Sequence, residues 1–303
     1  MKYLLKSAYL LLSLGVLVHF GATAQNIDKE KLIADIQYLS SDELEGRKPL
    51  TDGNLKAQKF IKERFDRLNL TSQYSDFTQY FSFMNPRDSV QYERAANIVG
   101  FIPGSESEYL IVITAHYDHL GVINGQIFNG ADDNASGTAA LLAMAEYFSV
   151  NRPKHSIMFA AVDAEEMGHQ GAKALVADFP FPLKQVKLNI NMDMISRNEN
   201  NELYASGTFH NPHLKPVLEA VEPFGGVILK FGHDDPEMGK DDWTFSSDHA
   251  QFHRKDIPHI YFGVEDHPDY HKPTDTFENI DPDFYYQAAE TVLRAVKAFD
   301  ESL

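Results

Sequence analysis

The chain has 303 residues, no cysteine and a formal net charge of −17 at pH 7. This acidity argues against nucleic acid and anionic membranes as partners. The absence of cysteine excludes disulfides, a thiol nucleophile and cysteine-ligated zinc. A chain of this length and ordinary apolar content is able to form one large α/β domain.

The first 24 residues have the pattern of a secretory signal. Lys2 and Lys6 precede a mostly apolar run over residues 8–20, and Ala22-Thr23-Ala24 follows it. The run is shorter than the ~20 apolar residues that a membrane-spanning helix needs. The small residues after it suit a signal peptidase. We therefore expect cleavage after Ala24, export to a periplasm or the medium without a membrane anchor, and one folded domain over residues 25–303.

Apolar strands alternate with helices along the rest of the chain. Helical periodicity predicts helices over residues 28–39, 55–68, 137–148, 168–177, 212–221 and 282–299. Short apolar or alternating runs predict strands over residues 73–84, 96–101, 109–114, 156–162, 188–192 and 257–262. This order indicates an α/β fold with a mixed, mostly parallel central sheet and helices on both faces.

Candidate ligands follow three of these strands. His116 follows the strand at 109–114, and Asp193 follows the strand at 188–192. The strand at 156–162 is followed by three acids, Asp163, Glu165 and Glu166. Ligands of such sheets bind beyond the carboxyl ends of the strands. Asp193 also lies within apolar sequence, where a carboxylate is costly unless it is paired or ligates a metal.

The spacing of the polar residues suggests distinct tasks. In an extended segment, His116 and Asp118 point the same way, so Asp118 could hydrogen-bond the second ring nitrogen of a metal-binding His116. Neighbouring side chains diverge, so one of Glu165 and Glu166 could ligate metal while the other takes a proton from water.

Other candidate residues lie in loops. The run Asp132-Asp133-Asn134 opens a helix, where a carboxylate either bridges two cations or caps the helix. His271 follows Tyr270 in a polar loop. Taken singly, each candidate also fits an ordinary surface or capping role. His119 stays unassigned, and no partner pattern marks the histidines at 155, 169, 210, 213, 233, 253, 259 and 267.

The ordered set resembles the co-catalytic di-zinc peptidase family of secreted bacterial aminopeptidases, glutamate carboxypeptidases and, more distantly, glutaminyl cyclases. The resemblance covers most of the chain after residue 24. It includes residues 39–47, with the sequence LSSDELEGR, and residues 247–249, with the sequence SDH. It implies the zinc-peptidase (phosphorylase-like) fold. No large insertion separates residues 101 and 109, so the protease-associated domain of some relatives is not expected.

The same resemblance implies the roles of individual residues. Two zinc ions per chain would be held by His116, Asp133, Glu166, Asp193 and His271, with Asp133 bridging them. Glu165 would be the general base, Asp118 would support His116, and Tyr270 would steady the oxyanion. The Asp133–Asn134 peptide is expected to be cis.

These residues predict a metal-dependent exopeptidase, foremost an aminopeptidase that attacks peptide N-termini with a metal-bridged hydroxide. A glutaminyl cyclase, a carboxypeptidase and a non-catalytic binding module on the same fold remain alternatives. His116 and Asp118 favour two metals and hence hydrolysis. The sequence gives no sign of the oligomeric state.

The acidic segment at residues 233–242 holds five acids and one lysine. We hypothesise that it is a loop at the pocket mouth, where its acids favour a free α-amine. A solvated acidic loop far from the site is the alternative.

Overall fold

The computed structural model of the chain describes residues 26–303 except 86 and 88. The predicted signal segment, residues 1–24, lies outside the described residues. Within them, no helix combines the length and apolar character needed to span a bilayer.

Seven α-helices and ten strands form in the described residues. The helices are α1 (Lys29–Leu39), α2 (Asp52–Arg67), α3 (Gly137–Val150), α4 (Gln170–Ala177), α5 (Lys215–Glu219), α6 (His249–His253) and α7 (Pro282–Ser302). The strands are β1 (Thr78–Met84), β2 (Gln91–Ile102), β3 (Glu106–His116), β4 (Gly121–Ile123), β5 (Gln126–Phe128), β6 (His155–Val162), β7 (Val186–Met192), β8 (Glu202–Ser206), β9 (Ile228–Phe231) and β10 (His259–Gly263).

Eight strands form one mixed sheet in the order β1-β2-β6-β3-β7-β10-β8-β9, and β4 and β5 form a separate hairpin. The four central strands β6, β3, β7 and β10 are parallel to one another. Antiparallel pairs join β1 to β2, β2 to β6, and β10 to β8. The predicted single α/β domain with a mixed, mostly parallel sheet is therefore confirmed.

The sheet is buried on both faces because successive side chains of its central strands point to opposite sides. Ile111 and Ile113 belong to the larger core, which the sheet shares with α1, α2, α3 and α7. Leu110 and Val112 belong to a second core with Leu175 of α4 and Phe252 of α6. Helices thus cover both faces, and the carboxyl ends of the central strands open at one edge.

Some predicted boundaries were wrong for local reasons. The strand expected at 73–84 begins only at Thr78, because Asp76 and Phe77 take left-handed backbone angles, with φ of 51° and 59°. Helix α2 begins at Asp52 rather than at residue 55, since the Thr51 side chain accepts the N–H of Asn54 and caps the helix. The helix expected at 212–221 shortens to α5. The short elements β8, β9 and α6 were not predicted.

Candidate metal centre

The predicted ligands meet at the carboxyl edge of the central strands. His116 ends β3, Asp193 follows β7, and Glu165 and Glu166 follow β6. His271 lies in the loop after β10. Because these four strands are parallel neighbours, their ends lie side by side and bring together residues that are far apart in sequence.

The first donor group consists of His116, Asp133 and Asp193. His116 Nε2 lies 3.2 Å from Asp193 Oδ1 and 3.3 Å from Asp133 Oδ1. Burial disfavours a charged imidazole, but Asp193, Asp118 and Asp133 together raise the pKa of His116 well above its usual value. The donor atoms lie within 4.8 Å of one another, close enough to bind one metal ion.

The second donor group uses the other oxygen of Asp133. His271 Nε2 lies 3.1 Å from Asp133 Oδ2 and 3.3 Å from Glu166 Oε2. Burial and the charge of Asp133 oppose ionisation of Glu166, yet His119 and His271 lower its pKa to about 2. His119, Asp133 and Glu166 also offer donor atoms within 4.8 Å of one another. Sequence reasoning left His119 unassigned, and no spacing rule marks a histidine three residues after His116.

Asp133 is held in place by its neighbours. The backbone N–H groups of Asp132 and Asp133 donate to the carboxylate of Asp275 at 2.9 and 3.1 Å. Asp132 itself accepts from Ser196 and lies 3.1 Å from His267, so its carboxylate is turned away from the donor groups. The Asp133–Asn134 peptide is cis, as expected. These contacts leave Asp133 as the carboxylate shared by both groups.

Glu165 lies beside the donor groups and lines a cavity of about 190 Å³. Burial, followed by repulsion from Asp193 and Glu166, raises the pKa of Glu165 well above its usual value, although His116 opposes this. Its Oε1 lies 3.1 Å from His169 Nε2. A carboxylate with a raised pKa is suited to accepting and releasing a proton near neutral pH. His169 was interpreted as structural or surface, and its place beside Glu165 was missed.

Asp118 faces His116, as predicted, and makes further contacts that were not predicted. His116 Nδ1 lies 3.2 Å from the backbone carbonyl oxygen of Asp118 and 3.6 Å from its carboxylate. The carboxylate accepts the backbone N–H groups of Glu165 at 3.0 Å and Glu166 at 3.4 Å. Asp118 therefore orients His116 mainly through its main chain, and its side chain holds the loop that carries both glutamates.

Arg47 is fully buried and joins three segments around the site. Its guanidinium donates to the backbone carbonyls of Tyr117, Leu39, Asn129 and Gly130. Burial lowers the pKa of Arg47 to about 10, with nearby Asp118 and Asp133 opposing the shift. The group thus stays charged at neutral pH. Sequence analysis placed it in a family-like segment and gave it no role.

The cavity has mixed walls. Asp133, Glu165, Asp193 and His271 line one side; the other lining residues are Met194, Lys240, Trp243, Ser246, Tyr261, Val264, Asp266 and Tyr270. The Tyr270 ring stacks on His271 with centroids 3.9 Å apart. Burial raises the pKa of Tyr270, so its hydroxyl stays protonated and able to donate a hydrogen bond.

The segment at 233–242 reaches this cavity through Lys240 rather than through its acids. The carboxylate of Asp234 accepts the N–H groups of Gly207 and Phe209, and that of Asp235 accepts the N–H of Glu237. That of Asp242 accepts from Thr244. The segment therefore borders the cavity, as hypothesised, and three of its five acids accept local N–H groups.

Most of the other histidines lie away from the donor groups. His155 binds Asp300, and His233 stacks on Trp243. His210, His249, His253 and His259 pack ring against ring beyond β10. Their interpretation as structural fits these contacts.

A mixed sheet whose parallel central strands end at two carboxylate–histidine donor groups sharing one aspartate has the side chains that a metal-dependent peptidase requires. The model of a known family, described as Peptidase family M28, matches residues 97–296. The chain belongs to this family.

Known proteins resemble the chain to different degrees. Aminopeptidase YwaD of Bacillus subtilis (strain 168) is 27% identical over 303 residues, an alignment that covers 96% of this chain and 62% of YwaD. The chain thus spans less than two thirds of that relative. A glutaminyl cyclase from Bacteroides thetaiotaomicron has a TM-score of 0.72 at 20% identity, covering 90% of this chain and 98% of the cyclase. BSAP, a zinc aminopeptidase from Bacillus subtilis, has a TM-score of 0.69 at 18% identity, covering 90% of this chain and 95% of BSAP.

Proposed function

We propose that residues 25–303 form the catalytic domain of an exported, zinc-dependent exopeptidase that removes residues from peptide N-termini. Two zinc ions per chain would be held, one by His116, Asp133 and Asp193 and the other by Asp133, Glu166 and His271. The family membership and the aminopeptidase relatives support this class of activity.

One observation carries the proposal. The two carboxylate oxygens of Asp133 face different imidazoles: Oδ1 lies 3.3 Å from His116 Nε2, and Oδ2 lies 3.1 Å from His271 Nε2. A carboxylate that only caps a helix has no need of two imidazole partners, one of them fully buried and the other 39% exposed. Nitrogen and oxygen donors of this kind suit zinc, and a pair of zinc ions lowers the pKa of water and polarises a carbonyl.

The protein groups then divide the chemistry. Glu165 takes the proton from the attacking water and returns it to the leaving amine, because it lines the cavity and its pKa is raised. The Tyr270 hydroxyl donates a hydrogen bond to the developing oxyanion and keeps its proton. Asp118 fixes the backbone of Glu165 and Glu166. The acidic side of the cavity, with Asp266 at its edge, attracts the free α-amine of the substrate.

The experiment combines metal analysis with four substrates: aminoacyl reporters, their N-acetylated forms, C-terminal reporters and N-terminal glutaminyl peptides. Aminoacyl reporters should be cleaved and acetylated forms should be nearly inert. Cyclisation of glutaminyl peptides without hydrolysis would favour a glutaminyl cyclase, and release of C-terminal residues would favour a carboxypeptidase. Equal turnover of free and blocked substrates, or one metal at full activity, would refute the proposal.

Two variants separate the roles of the paired glutamates. Glu165→Gln cannot accept a proton, so kcat should fall ~10²–10⁴-fold while both metals stay bound. Glu166→Gln should lose metal. Glu237→Gln, an exposed residue outside the cavity lining, is the matched control and should change neither. Loss of metal from Glu165→Gln together with retention by Glu166→Gln would reverse the assignment.

A further inference from the structure

His119 is a buried imidazole that faces the second donor group, and the proposed roles do not use it. Its side chain is 0% exposed. Its Nδ1 lies 2.7 Å from Glu166 Oε1 and 3.7 Å from Asp133 Oδ2. His119 therefore contacts the same two carboxylates as His271, but through the other oxygen of Glu166.

The contacts of His119 lack the geometry of hydrogen bonds. Among the described residues, neither of its ring nitrogens has a hydrogen-bond partner, and Glu166 Oε1 has none either. Buried polar atoms without partners are costly, so natural structures almost always satisfy them. His119 Nδ1 and Glu166 Oε1 are two such atoms, and they lie 2.7 Å apart. Together with Asp133 they are arranged like ligands of one cation.

The distances between these donors fit that interpretation. Ligands that lie ~2.1 Å from one ion, at tetrahedral to octahedral angles, are about 3.0–3.4 Å from each other. In the second donor group, His271 lies 3.1 Å from Asp133 and 3.3 Å from Glu166. His119 lies 2.7 Å from Glu166 and 3.7 Å from Asp133. The two His271 distances lie within the expected range, whereas those of His119 lie 0.3 Å outside it, one shorter and one longer.

We propose that His119 Nδ1 is a fourth protein ligand of the cation bound by Asp133, Glu166 and His271. The inference rests on the proposed function. It makes the two metal sites unequal, with four protein ligands in the second group and three in the first. Closed four-ligand zinc sites hold their metal structurally, whereas three-ligand sites keep a position open. The second site should therefore fill first and empty last, and the site of His116 should be the exchangeable one.

The decisive measurement is made on the unaltered protein loaded with ¹¹³Cd and labelled with ¹⁵N-histidine. Direct ligation produces a through-bond coupling between cadmium and His119 Nδ1. The ring signal is assigned through contacts with Gly130, where an added Cβ would come within 2.5 Å of His119 Cγ. A coupling supports the proposal. A protonated, uncoupled Nδ1 overturns it and leaves His119 as a group that orients Glu166 through a hydrogen bond.

Titration of the metal-free protein with zinc supplies a second readout. His119→Ala should weaken the tighter of two binding events by at least ~10–100-fold and leave the weaker one within a few-fold. His155→Ala removes an equally buried imidazole that binds Asp300, and it should leave both events unchanged. Unchanged affinities in His119→Ala would refute the proposal. A protein that binds two cations and cleaves aminoacyl reporters without the cadmium coupling contradicts only the role of His119. A protein that does neither contradicts the proposed function.

Discussion

Replacing Arg47 tests whether one buried guanidinium holds the segments that carry the site. Its four hydrogen bonds run to backbone carbonyls of Leu39, Tyr117, Asn129 and Gly130, and the bonds to Tyr117, Asn129 and Gly130 measure 2.7, 2.6 and 2.9 Å. Tyr117 lies between the proposed ligand His116 and Asp118, and Gly130 opens the loop that carries Asp133. Loss of the guanidinium should therefore affect both stability and metal retention.

The expected magnitude follows from counting donors. Lysine has three donors for four carbonyls, so Arg47→Lys loses at least one of the four hydrogen bonds. A hydrogen bond to a charged group contributes about 1.5–3 kcal/mol, so the lysine variant should lose at least that much. Arg47→Met leaves the carbonyls of Leu39, Tyr117 and Asn129 without this donor at about 1–3 kcal/mol each, while the carbonyl of Gly130 keeps the N–H of Ala135. That total approaches the whole stability of a typical domain, about 5–15 kcal/mol, so the methionine variant should not fold.

The assay is urea denaturation of the zinc-loaded protein, followed by metal analysis after dialysis. Arg47→Lys should unfold at a lower urea concentration and retain less zinc. Arg67→Lys is the matched control, because Arg67 is exposed and its Nε bonds only to the carbonyl of Glu63 within α2. It should stay within about 0.5 kcal/mol of the parent. An equally small effect of Arg47→Lys, with zinc retained, would show that the four bonds contribute little.

Two further predictions concern charge. Burial raises the pKa of Asp35 to about 6, with Arg64 opposing and Glu146 adding to the shift. An acid whose pKa is raised on folding gives stability that is present below its unfolded pKa of about 4 and lost as pH rises through about 6. Urea denaturation gives the free energy of unfolding of Asp35→Asn relative to that of the parent. This difference should rise by up to about 3 kcal/mol between pH 4 and pH 7.5. A difference that does not change with pH would contradict the raised pKa. Lys240→Ala should raise KM for peptides with acidic side chains and lower it for basic ones. Equal changes for all peptides would show that Lys240 does not contact the substrate side chain.

Much of the fold could be predicted because buried strands have a strong local signature. The apolar runs of β3 and β6 are nearly uninterrupted, β7 alternates apolar and polar residues, and each strand ends at or just before polar residues. The change from apolar to polar residues marks the end of a strand. Since parallel strands end at one edge of the sheet, the positions of these strand ends also predict that His116 and Asp193 lie close together. The short strands β8 and β9 carry no comparable signal, because five or four residues are too few to show a period.

The roles of buried polar residues could not be predicted in the same way. Arg47 and His119 act through contacts with residues far away in sequence, and no spacing rule records those contacts. Asp118 shows the limit: its spacing from His116 predicted that its carboxylate faces the imidazole, which lies 3.6 Å away. The spacing did not predict that the same carboxylate accepts two backbone N–H groups from another strand end. The contacts of such a side chain depend on which groups the tertiary structure brings close to it.

Buried carboxylates crowd together at the strand ends, so the stability of the fold would depend on the concentration of free metal. Burial and mutual repulsion raise the pKa of Glu165, Asp193 and Asp248, so the metal-free fold carries an electrostatic cost at neutral pH. A cation that binds only the native state removes that cost, and each tenfold rise of free metal above its dissociation constant adds about 1.4 kcal/mol of stability per site. Where zinc is scarce, a larger fraction of the molecules would unfold and be cleaved by proteases. The amount of the protein would then follow the zinc concentration of its compartment.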